Sequence, residues 1–557
     1  MVNREGDPLL KGATERVYNT KAVDEEYLAS SDSSTTTIDE HDAEYLIKHR
    51  LGQVSLTMVT LCLCTSGFLA AVDTSIVATI FNEIGTEFQS SNLSVWIMTS
   101  YMLSTSALQP LYGKLSDIFG RKSTLVAILC FFLVGSWLCG LAGSMVQLSI
   151  ARAIAGLGGG GLMTMASVVI HDLIPMRDRG RYQSYVNMAQ TVGTTIGAPL
   201  GGFINDYIGW RYCFYINVPP CLFILYVYIY KLENYNLAKG SNATDNLHEK
   251  LERIDFVGAG FLLVANASFV TGVSLGGNTH AWDDPLIITL LTTAITFFSI
   301  FGVFEFNWAE HPLVSRTLIK NRNVVAVCLC NLFLCSSTMT FTYLIPQYFM
   351  GVLGYKASSA GMWVLPRTAM VAFGCWTAGR YLGATGRYKK FLVSIIALQV
   401  TAAFGTYTWA LETPIPFRVL CMVAEGFCFG VVLVATMVAL VADVPHSETA
   451  SATSMIFLCR SFGWLSGSSV TAAILQSSFK SNLNRTITGP EAADIIEFVR
   501  TSITKIRTLA PEMQVVIISS LSQAIHSAFA YGVASSVLCF VAALFMRDCY
   551  LGTHPTK

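Results

Sequence analysis

The sequence is poor in charge. Only 13% of its 557 residues are Asp, Glu, Lys or Arg, and 36 basic residues balance 36 acidic ones. A chain with no net charge offers no excess of basic residues for nucleic acid, so no nucleic-acid partner is expected. Hydrophobic residues make up 53% of the chain. That share is too high for a soluble protein of this length and predicts a polytopic membrane protein.

Several sequence signals are missing, and each absence disfavours a class of protein. The chain has no GxxxxGK[ST] phosphate-binding loop, so an ATP-driven pump is disfavoured and energy must come from a gradient. Its 15 cysteines lie mostly in apolar runs without CxxC spacing, which indicates packing rather than metal binding. No enzymatic activity, cofactor or metal is expected. Transmembrane barrel strands are segments of about 10 residues in which apolar and polar residues alternate. The chain lacks such segments, so its spanning elements are predicted to be helices.

Long apolar runs are abundant. A run of about 20 apolar residues crosses a bilayer as a helix. Basic residues concentrate in the loops that these runs place on one side, so those loops and both termini are predicted to be cytoplasmic. The short outer loops hold Arg211, Lys356 and Arg418. The fourteen predicted spans are 54–80, 95–112, 123–143, 146–171, 185–207, 214–231, 256–276, 285–305, 324–349, 358–381, 391–411, 417–442, 452–476 and 524–546.

A polar segment, GKLSDIFGRK, separates the second and third spans at Gly113 to Lys122. Gly113 lets two helix ends approach closely, and Asp117 is placed to cap the next helix. Arg121 lies four residues after Asp117, within reach of an ion pair. A similar segment, GRYLGATGRYKK, follows the tenth span at 379–390. Such an internal echo is expected of two parallel six-helix halves.

Several charged residues fall inside the predicted spans, among them Asp73, Arg152 and Glu425. Asp73 lies well inside the first span, where an ionised carboxylate costs at least about 2.5 kcal/mol, so it is a functional candidate. The alternative is that Asp73 lies near the lumenal end, in water. Arg152 shares a helix face with Gly156 in the fourth span, and it could either assist proton coupling or pair with a carboxylate for structure alone. Glu425 in the twelfth span is the second intramembrane acid.

The second half carries further polar groups at membrane depth. Tyr343 and Gln347 in the ninth span are candidate cavity residues, although aromatic residues there also fit interfacial anchors. Arg460 lies in the thirteenth span. Together with Glu425, these three residues form the predicted substrate-binding set.

The fifth span is rich in small residues. Gly193 and Gly197 form a GxxxG pair, which by itself usually indicates only helix packing. Pro199 is expected to bend the helix, and Gly201 and Gly202 to prolong its smooth face.

These motifs together resemble the major facilitator superfamily. The segment from Gly113 to Lys122, which ends in Gly120, Arg121 and Lys122, resembles the sequence motif of the loop between the second and third helices of that superfamily. It departs from the motif at Ile118, where the family usually has a basic residue. The fifth span resembles the signature of its proton antiporters, and WRYCFYINVPP at 210–220 resembles a segment of the fourteen-span drug:proton antiporter family. The resemblance covers nearly the whole chain after the tail and is closest to fungal vacuolar basic amino acid transporters.

The resemblance implies an all-α membrane protein with fourteen transmembrane helices, arranged as two six-helix halves plus two extra central helices. A cytoplasmic tail at 1–50 precedes the first half at 51–231. A linker with the two central helices follows at 232–323. The second half occupies 324–557 and includes a long lumenal loop at 477–523 and a short cytoplasmic C-terminus.

The implied function is proton antiport of lysine, arginine and histidine from the cytosol into the vacuole. The partners are then the small-molecule substrate, protons and the lipid bilayer, with Asp73 and Arg152 assigned to proton coupling. The alternative within transport is a plasma-membrane multidrug or siderophore exporter of the same fold. A membrane protein without turnover is the alternative from another class.

Two short patterns concern targeting and modification. Glu5, Leu9 and Leu10 fit an acidic dileucine signal for a sorting adaptor, which points to the vacuolar membrane, although such patterns also arise by chance. They lie in a tail predicted to be disordered and not to be a signal peptide. Asn484 begins an N-x-T glycosylation sequence in the predicted lumenal loop.

Overall fold

The computed structural model describes most of the chain after the tail. The predicted sorting residues Glu5, Leu9 and Leu10 lie outside the described residues. Those described are residues 55–89, 95–175, 178–232, 255–276, 280–309, 316–355, 357–445, 448–486 and 511–548.

Fourteen helices of 13 residues or more account for nearly all of the described residues. Short helical turns at Tyr212–Tyr215 and Arg316–Lys320 precede the sixth and ninth of them. The helices are α1 Leu56–Glu87, α2 Val95–Phe119, α3 Arg121–Leu141, α4 Met145–Leu173, α5 Arg179–Tyr207, α6 Val218–Tyr230, α7 Phe256–Leu275, α8 Pro285–Asn307, α9 Arg322–Gln347, α10 Ala357–Thr385, α11 Lys389–Tyr407, α12 Ile415–Val441, α13 Thr449–Thr486 and α14 Pro511–Leu544.

In the part of the chain that the structure describes, nine helical segments are long and apolar enough to cross a membrane. The helices outside that set are α2, α5, α7, α10 and α13. Four of these, α2, α5, α10 and α13, pack against each other across the boundary between the two halves. Polar side chains on these helices can therefore face protein instead of lipid. Such side chains lower the mean hydropathy of a helix, so hydropathy alone does not identify these four as spans. The count of fourteen spans stays a prediction.

The same packing scheme occurs in both halves. In the first half, α1 packs against α5 and α2 against α4, while in the second half α9 packs against α13 and α10 against α12. The turns after α2 and α10 also correspond, since Gly120 has φ of 89° and Gly386 has φ of 64°. Residues with a side chain rarely adopt a positive φ, so both turns favour glycine.

The two central helices lie next to α2 and α13, where the two halves meet. On α7, the Asn266 amide Nδ2 lies 3.3 Å from the Ser106 carbonyl of α2. The Phe269 ring lies 5.4 Å from the Phe462 ring of α13. The second central helix, α8, packs against α7 and exposes most of its surface.

The predicted loop at 477–523 is shorter than expected. Helix α13 continues to Thr486 and α14 begins at Pro511, so the described parts of that interval are helical. The apolar run ends near residue 476, but no glycine or proline follows Gly467 until Gly489. The helix therefore continues as a polar extension. Asn484 lies exposed on its last turn.

Candidate functional site

A buried ion pair lies in the first half. Asp73 is near the middle of α1 and only 1% exposed. Its Oδ2 atom lies 2.6 Å from Nη1 of Arg152 on α4. Asn217, just before α6, donates from Nδ2 to the Oδ1 atom of Asp73 at 3.1 Å. Both carboxylate oxygens are held by protein groups, so the alternative of Asp73 in lumenal water is wrong for this conformation.

Several contacts fix the guanidinium of Arg152. Its Nε donates to the Ile97 carbonyl at 3.3 Å. The Tyr101 ring lies 4.2 Å from the guanidinium carbon, a cation–π distance. One turn later, a Cβ atom on Gly156 would lie 2.5 Å from the Tyr101 carbonyl oxygen. The close approach of α4 to α2 at Gly156 therefore positions Arg152 against Asp73.

A second buried ion pair lies in the other half. Glu425 on α12 is 2% exposed, and its Oε2 atom lies 2.5 Å from Nε of Arg367 on α10. Thr338 on α9 donates to the Oε1 atom of Glu425 at 3.0 Å. In this conformation, therefore, Glu425 is not an unoccupied acceptor for a substrate cation. The sequence shows Arg367 at membrane depth but gives no sign of its partner.

The two pairs lie beside corresponding helix contacts of the repeat but are built from different positions. Gly156 on α4 packs against the carbonyl of Tyr101 on α2, and Gly426 on α12 packs against the carbonyl of Arg367 on α10. Tyr101 and Arg367 are therefore equivalent positions. The first half takes its arginine from α4, whereas the second takes its arginine from α10 and its acid from α12.

Arg460 on α13 is a buried cation of a different kind. It is 6% exposed. Its Nε donates to Oδ1 of Asn331 at 2.8 Å, and its Nη2 donates to the Leu433 carbonyl at 2.9 Å. Among the residues that the structure describes, no carboxylate forms an ion pair with it. The two ion pairs are neutral, so Arg460 adds one positive charge to the polar groups of the second half.

Tyr343 and Gln347 are the other two residues predicted to bind the substrate. Both side chains on α9 are partly exposed. No hydrogen bond joins either of them to Glu425 or Arg460 in the described part of the chain. Their predicted role in substrate binding stays a prediction.

Arg121 is the centre of a third buried charge cluster, after α2. It lies 2.7 Å from Asp117 and 2.7 Å from Asp172 of α4, which confirms the predicted ion pair with Asp117. The predicted cap is wrong, because α2 continues past Asp117 and Gly120 precedes α3 without a side-chain cap. Lys122 donates to a main-chain carbonyl at the end of α6, 2.8 Å away.

Glycines bring the two halves together at one end of the bundle, here called the Gly113 end. Gly113 donates its N–H to the Ser454 hydroxyl of α13 at 3.0 Å, and a Cβ there would lie 2.5 Å from the Ala450 carbonyl. A Cβ on Gly379 of α10 would lie 2.7 Å from the Ser184 hydroxyl of α5. The halves are therefore in direct contact on both sides of this end.

The glycines of α5 face α1. A Cβ added at Gly193, Gly197 or Gly201 would lie 2.7 to 2.9 Å from atoms of α1, as the GxxxG pattern indicates. Gly202 has no atom within 4 Å of such a Cβ, so it lies outside the face that packs against α1. Pro199 lies inside α5 and does not end it, since the helix continues to Tyr207.

Similarity to a known protein family identifies the class of the chain. A family model described as the Major Facilitator Superfamily matches residues 63–468. The chain belongs to the major facilitator superfamily. It is therefore an all-helical membrane transporter and not an enzyme.

Two proteins from Schizosaccharomyces pombe are similar to most of the chain. The multidrug resistance protein fnx1 is 32% identical over 88% of this chain and 92% of its own length. The vacuolar membrane amino acid uptake transporter fnx2 is 29% identical over 95% of this chain and 92% of its own length. Among solved structures, the proton:xylose symporter XylE matches with a TM-score of 0.56 at 16% identity, over 87% of this chain and 94% of XylE. That likeness supports the fold alone.

Proposed function

We propose that the chain exchanges protons for basic amino acids, moving lysine, arginine and histidine from the cytosol into the vacuole. The observation that carries the proposal is the ion pair between Asp73, near the middle of α1, and Arg152 of α4, in which both side chains are buried. The similarity to fnx2, named as a vacuolar membrane amino acid uptake transporter, supports the substrate class and the membrane.

Asp73 is the proposed carrier of the proton. In this conformation its charge is balanced by Arg152 at 2.6 Å. Protonating Asp73 removes that balance and leaves a buried guanidinium without a counter-charge, which costs several kcal/mol. A change of conformation that moves Arg152 to another acceptor relieves this cost. Proton binding is thereby linked to rearrangement of the bundle.

Glu425 is the proposed acceptor for the cationic side chain of the substrate. Here Arg367 holds that carboxylate. A substrate ammonium or guanidinium would replace Arg367 and keep Glu425 neutralised. Arg460, with one charge unbalanced among the described residues, matches the carboxylate that every amino acid carries. Tyr343 and Gln347 complete the proposed substrate set.

The contacts at the Gly113 end fit a state that is closed on the side predicted to be cytoplasmic. Major facilitator transporters work by rocking two halves about a central site. In the proposed cycle, separation of Gly113 from Ser454 and of Gly379 from Ser184 opens the site to the cytosol.

The proposal places the protein in the vacuolar membrane, with Glu5, Leu9 and Leu10 as its sorting signal. Replacing both leucines with alanine is then expected to divert a fluorescent fusion from that membrane. With the same topology, Asn484 faces the lumen and is the expected glycosylation site. An endoglycosidase shift that survives Asn484→Gln would contradict this topology.

Uptake of labelled lysine into vesicles tests the substrate. Wild type in vesicles with an acidic interior is expected to accumulate lysine, and collapse of the gradient to abolish accumulation. Glu425→Gln is expected to lower lysine uptake strongly, while Glu412→Gln removes an exposed carboxylate between α11 and α12 and is expected to have little effect. Equal uptake by wild type and Glu425→Gln would remove Glu425 from the substrate site.

The second candidate function is export of drugs, and the similarity to fnx1, named as a multidrug resistance protein, favours it. A neutral substrate does not require a carboxylate to balance a charge. If wild type transports a neutral drug but not lysine, and Glu425→Gln keeps that activity, this second function replaces the first.

A further inference from the structure

A polar cavity of about 290 Å³ lies between the start of α5 and the end of α10, next to the contact between Gly379 and Ser184. It therefore spans the boundary between the two halves at the Gly113 end. Its lining residues are Asp178, Arg181, Ser184 and Tyr185 of the first half and Trp376, Gly379, Arg380 and Gly383 of the second half.

The internal repeat explains why this space is present. Four residues after Gly113, α2 carries Asp117, whose carboxylate lies 2.7 Å from Arg121. Four residues after the equivalent Gly379, α10 carries Gly383, which lines the cavity. The first half therefore has the carboxylate of Asp117 at this position, whereas the second half has Gly383, which leaves a space.

The charges around the cavity favour an anion. Arg181 donates from Nε to the Tyr185 hydroxyl at 2.8 Å, and the Arg380 guanidinium carbon lies 5.3 Å from the Trp376 ring. Neither arginine has a carboxylate at ion-pair distance among the described residues. Asp178 also lines the cavity and offsets one positive charge. Two cations and one acid leave one positive charge in excess.

The surroundings point to a lipid rather than to a soluble ion. The side chains of Trp376 and Phe373 are 41% and 49% exposed on the outer surface of α10, and their rings stack 5.6 Å apart. Aromatic side chains of this kind occur where the headgroups of a bilayer meet its hydrocarbon. An acyl chain can lie along Phe373 while its headgroup reaches the arginines. A choline or ethanolamine headgroup would bring a cation towards Arg181 and Arg380, so a net negative headgroup fits better.

We propose that this cavity binds the phosphate of an anionic phospholipid of the adjacent leaflet, held by Arg181 of one half and Arg380 of the other. The phosphate replaces the carboxylate that Gly383 lacks. Because its two ligands come from different halves, the bound lipid stabilises the contact at the Gly113 end. The proposal does not depend on which solute is transported.

Native mass spectrometry of the full chain tests the site. The protein is purified from nanodiscs of phosphatidylcholine mixed with phosphatidylinositol or phosphatidylserine, and bound lipid is counted. Wild type is expected to retain one anionic lipid, and Arg181→Gln with Arg380→Gln to lose it. Gly383→Asp, which restores the acid of the other repeat, is also expected to lose it. Lys390→Gln removes an exposed charge near the same end, away from the cavity lining, and is expected to retain the lipid.

Thermal unfolding in phosphatidylcholine nanodiscs distinguishes binding of a lipid phosphate from binding of free inorganic phosphate. Added anionic lipid is expected to raise the Tm of wild type but not of the double variant, and millimolar inorganic phosphate is expected to leave Tm unchanged. Equal lipid retention by wild type and the double variant would overturn the proposal. A rise in Tm with inorganic phosphate that matches the rise with lipid would also overturn it, in favour of a soluble anion.

Discussion

Asp73 and Glu425 are each held by one arginine deep inside the helical bundle. Taking two charges out of water is costly, and their attraction offsets that cost only while both partners remain. Removal of one partner therefore has a larger effect than removal of both. This asymmetry gives a test of whether Arg152 acts through Asp73.

Arg152→Gln is expected to destabilise the protein by about 3–5 kcal/mol, because it leaves the carboxylate of Asp73 buried without a cation. The measurement is unfolding in detergent followed by tryptophan fluorescence. Arg152→Gln combined with Asp73→Asn is expected to recover much of the loss, since a neutral pair can still form a hydrogen bond. Additive losses in the double variant would contradict the coupling of these two residues.

At the residue scale, the sequence predicts which side chains are exceptional but not what they contact. A charge inside an apolar run is visible in the sequence, and so Asp73, Arg152 and Glu425 could be found. The partner of Glu425 is 58 residues away on another helix, and that of Arg121 on α4 is 51 residues away. Helical periodicity relates only residues within a few turns, so these partners depend on the tertiary packing.

Close glycine contacts hold the helices together at the Gly113 end. Gly113→Ala places a Cβ 2.5 Å from the Ala450 carbonyl, a main-chain atom that cannot rotate away. We expect the substitution to separate α2 from α13 and raise amide hydrogen exchange in the first turns of α13. Gly202→Ala is the matched control, because its Cβ has no atom within 4 Å. Unchanged exchange in Gly113→Ala would contradict a tight contact there.

Glu87, the last residue of α1, connects this helix to the segment before α6. It lies 2.9 Å from Arg211 and 2.5 Å from Trp210, beyond the apolar segment of α1 that ends at Phe81. Partial burial alone raises the pKa of Glu87, but the hydrogen bonds from Arg211 and Trp210 outweigh it and lower the pKa below its ordinary value. The stabilising form is therefore the ionised carboxylate.

Glu87→Gln is expected to lower stability by at most about 1 kcal/mol at neutral pH, since the pair is partly exposed. Because the folded pKa is lowered, the contribution is complete above the ordinary pKa of a glutamate. It disappears only as the pH falls through the folded value. Unfolding of wild type and Glu87→Gln across acidic pH checks this, with Glu412→Gln as an exposed control. A difference that vanishes already near neutral pH would contradict the assignment.

At the element scale, apolar runs predict where helices lie but not where they end. Helix α13 continues beyond its apolar run to Thr486, because a helix stops at glycine and proline rather than at the edge of the hydrocarbon. Likewise, α2 continues through Asp117, which turns a predicted cap into an ion-pair residue within the helix.

For the whole molecule, the two halves form equivalent contacts at the Gly113 end while their internal ion pairs differ. Gly113 faces the start of α13 as Gly379 faces the start of α5. The symmetry of these contacts suits a rocking motion between two states, and the asymmetry of the charges gives the halves separate tasks. We propose that Asp73 in the first half carries the proton and that Glu425 in the second half receives the substrate cation.

Lysine-dependent proton movement tests this assignment most directly. Purified protein is reconstituted into vesicles with an acidic interior and an internal pH dye, and lysine is added outside. Wild type is expected to release protons as lysine enters, so the interior becomes less acidic. Asp73→Asn with Arg152→Gln is expected to exchange labelled for unlabelled lysine without any lysine-dependent pH change. Proton release by this double variant at the wild-type rate would contradict the central role of Asp73.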